Sequence, residues 1–385
     1  MSGRRPLRLR RPIGSRLAPV LLALALTAPA CAGYGDGAID EHRATVKVGF
    51  VFVGSRDDLG YNQAAWEGSE AVAEAFPDVE VLRAEHVPET EKAEQVMERM
   101  INQGASILFP TSFGYLDAAV AVARRHPEVV VVHQGGVEPS PGLANLGTYF
   151  GAVYEPVYEA GIAAGAATRT GRLGFVAAFP IPATFNNVNA FTLGARSVNP
   201  SVTTSVIFTG SWCNPASQVK ATRALLRLGA DVLTQHQDCT RTVLEAAERA
   251  GVSSVGYHYD GSEVARRGWL AGSAWDWRGL FVDIVRTVGS GAFARSPYGR
   301  DFRGSLRTGD NPFVLTELGP TVAGATRVRV AEAEQRFRDG GSPFTGPVVD
   351  SYGVERIAAG VVLSQAEIDS MDWFVAGVEG DLPER

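Results

Sequence analysis

The chain has 385 residues, 45% of them hydrophobic, and its 36 basic and 42 acidic residues give a formal net charge of -6. Removing residues 1–30, which hold six arginines and no acid, leaves 30 - 42 = -12, which is not the charge of a nucleic-acid-binding protein. The remaining roughly 350 residues exceed one typical hydrophobic core and favour two domains.

The N-terminus predicts an export signal over residues 1–30. The arginine-rich start is followed by the apolar run LAPVLLALALTA, too short for a stable membrane anchor, and by APA before Cys31. APA satisfies the ordinary secretory cleavage rule, whereas LTAPAC approximates a lipobox, in which Cys31 becomes lipid-modified. We favour the lipobox, with residues 31–45 as a tether; without acylation the protein would be secreted or periplasmic.

Short apolar runs then alternate with helical stretches. The predicted strands are VKVGFVFV, VEVLRAEHV, SILFPTS, VVVVHQGG and NLGTYF, and the helices between them are AAWEGSEAVAEAF, ETEKAEQVMERMINQG and YLDAAVAVARRH. After the helix EPVYEAGIAAGAATRTG the rhythm restarts with the strands RLGFVAAF, TTSVIFTGS, ADVLTQHQ, SSVGYHY and WLAGSAW. This pattern predicts an α/β fold of two Rossmann-like, doubly wound lobes laid end to end.

The predicted domain boundaries follow from this rhythm. Lobe I comprises 46–150 plus about 276–295, lobe II comprises 151–275, and 296–385 form a C-terminal extension packed on the lobes.

In parallel α/β sheets, ligands bind outside the carboxyl ends of the strands. Binding residues are therefore expected just after each predicted strand. These segments are aromatic and carry few Lys or Arg, which suits stacking on a flat heterocycle rather than binding a phosphate. The predicted ligand-binding residues are Tyr61, Asn62, Phe113, Tyr115, Phe185, Trp212, Asp238, Asp260, Trp275, Asp276 and Trp277. For Asn62 the alternative is that it caps the following helix.

Two cysteines remain inside the fold, Cys213 and Cys239. Outside the cytoplasm an isolated pair is more often a disulfide than a metal site. Each follows a predicted strand, and neighbouring parallel strands would bring both to one edge of the sheet, so we predict that they form a disulfide.

Several segments of the chain, taken together, resemble one protein family. GYNQAAWEG resembles the G-[FWY]-N-x-x-x-x-x-G segment of the basic membrane protein (BMP) family, and ILFPTSFGYLDAAVAVARRHPEV, LGFVAAFPIP, NAFTLGARSVNP and FTGPVVDSYG resemble later blocks in the same order. The resemblance spans about residues 46–375. It implies a type I periplasmic-binding-protein clamshell that feeds an ABC importer and closes on purines or nucleosides. Where nucleoside-binding relatives often carry a lysine, this chain has Asp276, which favours a bare base.

The predicted function is therefore an extracytoplasmic substrate-binding protein that takes a purine nucleobase between its lobes. It is not an enzyme, it needs no cofactor or metal, and its partners are a permease and, through the lipid anchor, the membrane; we expect a monomer. The alternatives are a purine nucleoside receptor or a ligand sensor. An enzyme is a further alternative. The pairs His236-x-Asp238 and His258-x-Asp260 could form a metal site, as in a metal-dependent hydrolase.

Overall fold

The computed structural model describes residues 46–135 and 142–380. The predicted signal peptide, the tether and Cys31 lie outside the described residues. The elements below are numbered along the chain.

The first sheet contains six parallel strands in the order β11-β5-β4-β3-β1-β2. These are β1 (Lys47–Val51), β2 (Glu80–Ala84), β3 (Ala105–Pro110), β4 (Val130–Gln134), β5 (Leu146–Gly151) and β11 (Asp301–Gly304). Its helices are α1 (Tyr61–Ala75), α2 (Glu91–Asn102), α3 (Leu116–Arg125) and, from later in the chain, α8 (Arg278–Gly289). We call this unit the first lobe.

Helix α2 illustrates how the sequence forms these elements. Thr90 caps its N-terminus, since the Thr90 side chain accepts from the backbone N–H of Lys92 at 3.3 Å. The buried side chains recur at helical spacing, so a single apolar face packs on the sheet; they are Ala93, Val96, Met97 and Met100.

The second sheet contains seven strands in the order β12-β10-β9-β8-β6-β7-β15. They are β6 (Arg172–Ala177), β7 (Thr203–Phe208), β8 (Val232–His236), β9 (Ser253–His258), β10 (Trp269–Trp275), β12 (Phe313–Leu315) and β15 (Val378–Glu379), and only β12 runs antiparallel to its neighbour. Its helices are α4 (Tyr154–Ala167), α5 (Pro182–Val198), α6 (Pro215–Arg227) and α7 (Arg241–Ala250). We call this unit the second lobe. The predicted α/β architecture of parallel sheets is confirmed.

The C-terminal segment is woven into both lobes, because it supplies β11 to the first sheet and β12 and β15 to the second. It also forms α9 (Gly324–Arg338), the two-stranded pair β13 (Val348–Val349) and β14 (Glu355–Ile357), and α10 (Gln365–Asp369). Helix α9 packs on α4. Short 3-10 turns occur at Phe113–Tyr115, Phe293–Arg295 and Pro297–Gly299. None of the helices in the described ranges is long and apolar enough to cross a membrane.

Candidate functional site

A cavity lies between the carboxyl ends of the two sheets. Counted out to its open mouth, its empty space is about 430 Å³. Its lining residues lie at the carboxyl ends of strands of both lobes, in the segments that follow them or at the starts of the next helices, as is usual for parallel sheets. They are Tyr61, Ser112, Phe113, Gly135, Phe150, Ile181, Ala183, Trp212, His236, Asp238 and His258.

Aromatic side chains form the walls of this cavity. Tyr61 is the first residue of α1, and Phe113 lies in the 3-10 turn that follows β3. Trp212 follows β7, and its indole packs edge-on against Phe179 with ring centroids 5.0 Å apart. Phe179 therefore supports a flat surface that a planar ligand could stack on.

The polar end of the cavity is built from residues at the ends of β8 and β9. Asp238 is 5% exposed, and burial, together with the nearby charges of Asp58 and Glu89, raises the pKa of its carboxyl well above the ordinary value, although a hydrogen bond from Asn62 opposes the shift. Burial lowers the pKa of His236 to about 3, so this imidazole is neutral at physiological pH. The cavity thus ends in neutral imidazoles beside a carboxyl group.

His258 lies at the polar end of the cavity, between Trp275 and Asp238. Its Nδ1 receives the indole N–H of Trp275 at 2.8 Å, and its Nε2 lies 3.9 Å from Oδ1 of Asp238. The distance to Asp238 is too long for a hydrogen bond.

The two lobes touch around the cavity, so the structure is a closed form of the clamshell. The backbone N–H of Tyr61 donates to the carbonyl of Asp238 at 3.2 Å, and the Tyr259 hydroxyl donates to Oε1 of Glu67 at 2.7 Å. Gly60 is required at this contact, since a Cβ there would stand 1.7 Å from the carbonyl oxygen of Asp238.

Four of the predicted ligand-binding residues line the cavity: Tyr61, Phe113, Trp212 and Asp238. The other seven do not.

The WDW segment does not face the cavity, which corrects our expectation for Trp275, Asp276 and Trp277. Trp277 is fully buried, with its indole stacked 4.3 Å from that of Trp275 and 5.7 Å from the ring of Phe281. Gly68 of α1 makes room for this packing, because a Cβ there would come within 2.6 Å of Phe281. Trp275 is 5% exposed and contacts two cavity residues, His258 through its indole N–H and Phe150 with ring centroids 4.8 Å apart.

Asp276 is exposed on the outer surface, where Arg278 holds its carboxylate with bonds of 2.9 and 2.7 Å. This ion pair lowers the pKa of Asp276. The argument from Asp276 for a base over a nucleoside therefore has no structural support.

Asn62 does not line the cavity, but it supports the loop before α1 and donates to the carboxyl of Asp238. Its Oδ1 accepts from the backbone N–H of Gly54 at 3.0 Å, and its Nδ2 donates to Oδ2 of Asp58 at 2.8 Å. Helix α1 begins at Tyr61, three residues earlier than predicted, because Asp58 accepts from the backbone N–H groups of Asn62 and Gln63.

Tyr115, Phe185 and Asp260 also lie away from the cavity. Tyr115 is fully buried, and its hydroxyl donates to the carbonyl of Val87. Phe185 packs against Phe374 with ring centroids 5.0 Å apart. Asp260 is exposed and accepts from the backbone N–H of Ser262 at 2.9 Å.

Cys213 and Cys239 form a disulfide with Cα atoms 5.2 Å apart. The expected route to it was wrong, because β7 and β8 are not neighbours: β6 lies between them. The loops after the two strands meet beyond the end of β6 instead. There the backbone N–H of Asp238 donates to the carbonyl of Trp212 at 2.8 Å, so the disulfide ties together two loops that line the cavity.

His236 and His258 line the cavity, although the sequence pattern indicated them only as metal ligands. In the described ranges no group of three or more His, Cys, Asp or Glu side chains is placed to hold a metal ion. The signal that could have found His258 was its position directly at the end of a buried strand. Phe150, Ile181 and Ala183 were also missed; Phe150 ends a predicted strand, and the other two lie in the PIPA segment after β6.

The amino-acid sequence is similar to those of ligand-binding proteins. Residues 45–302 match the family model described as "ABC transporter substrate-binding protein PnrA-like". The chain is 30% identical over 357 residues to a purine-binding protein of Brucella abortus, covering 92% of this chain and 98% of that one. It is 32% identical over 349 residues to a protein of Haloferax volcanii named as a candidate glucose-binding protein of an ABC transporter, covering 90% and 84% of the two chains.

Two solved structures show the same fold. A solute-binding protein of an ABC transporter system from Aeropyrum pernix superimposes with a TM-score of 0.67 at 17% identity, covering 84% of this chain and 96% of that one. A transcriptional activator of the comK gene from Bacillus halodurans superimposes with a TM-score of 0.65 at 20% identity, covering 77% and 99%.

Proposed function

Because the chain belongs to the PnrA-like family of ABC transporter substrate-binding proteins, we propose that its cavity binds a purine nucleobase for import. The observation that carries the proposal is the pairing of aromatic walls, Tyr61, Phe113 and Trp212, with the carboxyl of Asp238 at the closed end. Stacking on such walls contributes about 1 to 3 kcal/mol per base, and the carboxyl can pair with a base edge. The similarity to the purine-binding protein of Brucella abortus supports the same ligand class.

The lining also disfavours phosphorylated ligands. No Lys or Arg is among the residues that line the cavity in the described part of the chain. A phosphate inside the cavity would meet no cationic side chain, and Arg303 of the adjoining depression is already paired with Asp301 at 3.4 Å and Asp369 at 3.0 Å.

A purine nucleoside is the second candidate. A wider and more polar depression adjoins the cavity and shares Phe113, Gly135, Phe150 and Ala183 with it. Its other lining residues include Asn186 and Gln365, which could hydrogen-bond to sugar hydroxyls if the base occupied the aromatic cavity.

Members of this family are substrate-binding proteins, not enzymes, and they work outside the cytoplasm with a permease. We infer that this chain delivers its ligand as a monomer and is held at the membrane by a lipid on Cys31.

A ligand sensor is the alternative to a transport protein. A sensor would use the same closure of the lobes to present a surface to a membrane partner. Loss of purine uptake in cells that lack the protein would support the transport role, whereas normal uptake would favour the sensor.

The ligand assignment is tested by mass spectrometry of the small molecule released from the purified protein. Calorimetric titration with adenine, guanine, hypoxanthine, xanthine, their nucleosides and glucose follows. We expect a purine base to bind with micromolar or tighter affinity. Saturable binding of glucose without binding of any purine would overturn the proposal.

The anchor needs its own test. Cells expressing the wild-type chain and a Cys31→Ser variant are separated into membrane and soluble fractions. We expect the wild-type protein in the membrane fraction and the variant in the soluble fraction; equal distribution of the two would exclude acylation at Cys31.

A further inference from the structure

Trp275 determines which nitrogen of His258 carries the proton. An indole N–H only donates, so Nδ1 of His258, which lies 2.8 Å from Nε1 of Trp275, must accept with its lone pair. Burial, and the neighbouring His236, lower the pKa of His258 well below the ordinary value, so the ring is neutral. The single ring proton of His258 is therefore on Nε2.

This Nε2–H is a donor without an acceptor among the described residues. His258 is 2% exposed and lines the cavity, and its Nε2 has no hydrogen-bond partner there. Oδ1 of Asp238 lies 3.9 Å away, beyond hydrogen-bond range. Buried donors are almost always satisfied, and one that remains unpaired at the wall of a cavity points to a ligand atom as its partner.

The backbone at His258 supports a functional role for its position. Its φ of +67° lies in the left-handed region, which non-glycine residues rarely adopt and which persists mainly where the surrounding structure holds it. The imidazole is held between Tyr61, with ring centroids 4.9 Å apart, and Tyr257, at 4.1 Å. The Nε2–H thus has a defined direction.

We propose that His258 is a specificity-determining residue whose Nε2–H donates to a ring acceptor of the ligand, while the Asp238 carboxyl beside it accepts from an adjacent ligand N–H. The pair selects a planar heterocycle in which an acceptor and an N–H stand side by side. Trp275 is a positioning residue, because it holds the His258 tautomer. The inference rests on the proposed function, since it places the ligand in the same cavity.

Free purine bases present this edge in more than one place, such as N3 beside N9–H in adenine, guanine and hypoxanthine, and N1 beside the 6-amino group in adenine. Methylated probes therefore separate the possibilities. If the paired edge is N3 and N9–H, a 9-methylpurine loses affinity; if it is the N1 edge, the 1-methyl derivative does. Undiminished binding of both methylated forms leaves only N7 beside the 6-amino group of adenine, and undiminished binding of 7-deazaadenine as well would overturn the edge assignment.

The decisive experiment compares His258→Phe with His86→Phe. His86 is a matched control, because it also has a positive φ, of 56°, but is exposed and does not line the cavity. The probe is whichever of adenine, guanine, hypoxanthine and xanthine binds the wild type most tightly. We expect His258→Phe to weaken its binding about tenfold to a hundredfold and His86→Phe to leave it within about twofold.

Trp275→Phe keeps a ring in place but removes the indole N–H, so it tests the tautomer without changing His258 and provides a second variant if His258→Phe does not fold. Long-range ¹H–¹⁵N NMR should show wild-type His258 protonated on Nε2 and the variant as a mixture of tautomers. We expect Trp275→Phe to weaken probe binding severalfold. A wild-type ring protonated on Nδ1, or unchanged affinity in folded His258→Phe, overturns the inference and leaves the proposed function standing. Failure of every purine to bind the wild type overturns both.

Discussion

The indole N–H of Trp212 donates to Oε2 of Glu89 at 3.0 Å, and this bond joins the second lobe to the first across the cleft. Glu89 is itself held in the first lobe, since its Oε1 accepts from the Ser112 hydroxyl at 2.6 Å and from the backbone N–H of Gly114 at 2.8 Å. Trp212 and Ser112 both line the cavity. The Glu89 carboxylate therefore bridges the two lobes in this closed form.

Removing this bridge should speed ligand release. Glu89→Ala removes a charge-assisted hydrogen bond. Such a bond contributes about 1.5 to 3 kcal/mol when it is buried, and less at a partly exposed site such as this one. We expect release of the bound purine to accelerate severalfold to about tenfold in stopped-flow fluorescence, and solution scattering of the empty protein to shift towards a more open form. Glu91→Ala, an exposed position on α2, is the control. Release at the wild-type rate from Glu89→Ala would contradict the role of the bridge.

Phe113→Ala should weaken ligand binding without loss of stability. Phe113 lines the cavity but is 38% exposed, so its truncation leaves little buried space. Loss of one stacking surface costs about 1 to 3 kcal/mol, or roughly 5-fold to 150-fold in affinity. Calorimetry measures the affinity and thermal unfolding the stability. Tyr352→Ala, which truncates an aromatic residue 83% exposed, is the control and should change neither. Equal affinity in both variants would exclude Phe113 from the site.

Trp277→Ala should have the opposite effect. The indole is fully buried between the rings of Trp275 and Phe281, so truncation leaves a cavity in the first lobe and costs about 3 to 5 kcal/mol in the free energy of unfolding. We expect a large shift in the denaturation midpoint, with nearly unchanged affinity of the folded fraction. Weaker binding at wild-type stability would return Trp277 to the ligand site.

The double variant Cys213→Ala/Cys239→Ala should lose both stability and affinity. The cysteines are 26 residues apart, a separation for which the chain-entropy model gives about 3 to 4 kcal/mol. Their immediate neighbours Trp212 and Asp238 line the cavity, so freeing the two loops should also weaken purine binding. Urea unfolding and calorimetry separate the two effects. A stability loss with intact affinity would show that other contacts alone hold these loops.

The pH dependence of stability should contain a contribution from Glu155. Burial raises the pKa of this carboxyl from 4.5 to about 7 in the folded protein. The folded state therefore binds the proton more tightly than the unfolded state, so the stabilisation is complete below about pH 4.5 and is lost as the pH rises through about 7.

Glu155→Gln cannot ionise, yet its amide oxygen can still accept from the backbone N–H of Leu306 and from Asn311, which donate to Glu155 at 2.8 and 3.0 Å. We expect wild-type stability to fall between about pH 5 and about pH 8 by more than that of the variant. Urea unfolding at both pH values measures the difference, and parallel curves for the two proteins would assign the fall to other groups.

The architecture and four of the cavity-lining residues were predictable from local sequence patterns. Strands of a parallel sheet are buried on both faces, so their apolar runs and the helices between them are visible as local patterns. The rule that ligands bind beyond the carboxyl ends of strands pointed to the cavity residues Tyr61, Phe113, Trp212 and Asp238, because these residues lie in the segments between a strand and the next helix or at the start of that helix.

Only the tertiary structure decided which way side chains at a strand end point. Trp277 turns into the first lobe because α8 packs on α1 at Gly68, an arrangement that joins residues more than two hundred positions apart. The donor at His258 likewise depends on Trp275, which lies on the adjacent strand β10. The periodicity of a strand or helix specifies its buried face, but the orientation of a loop residue is set by long-range contacts that no local pattern contains.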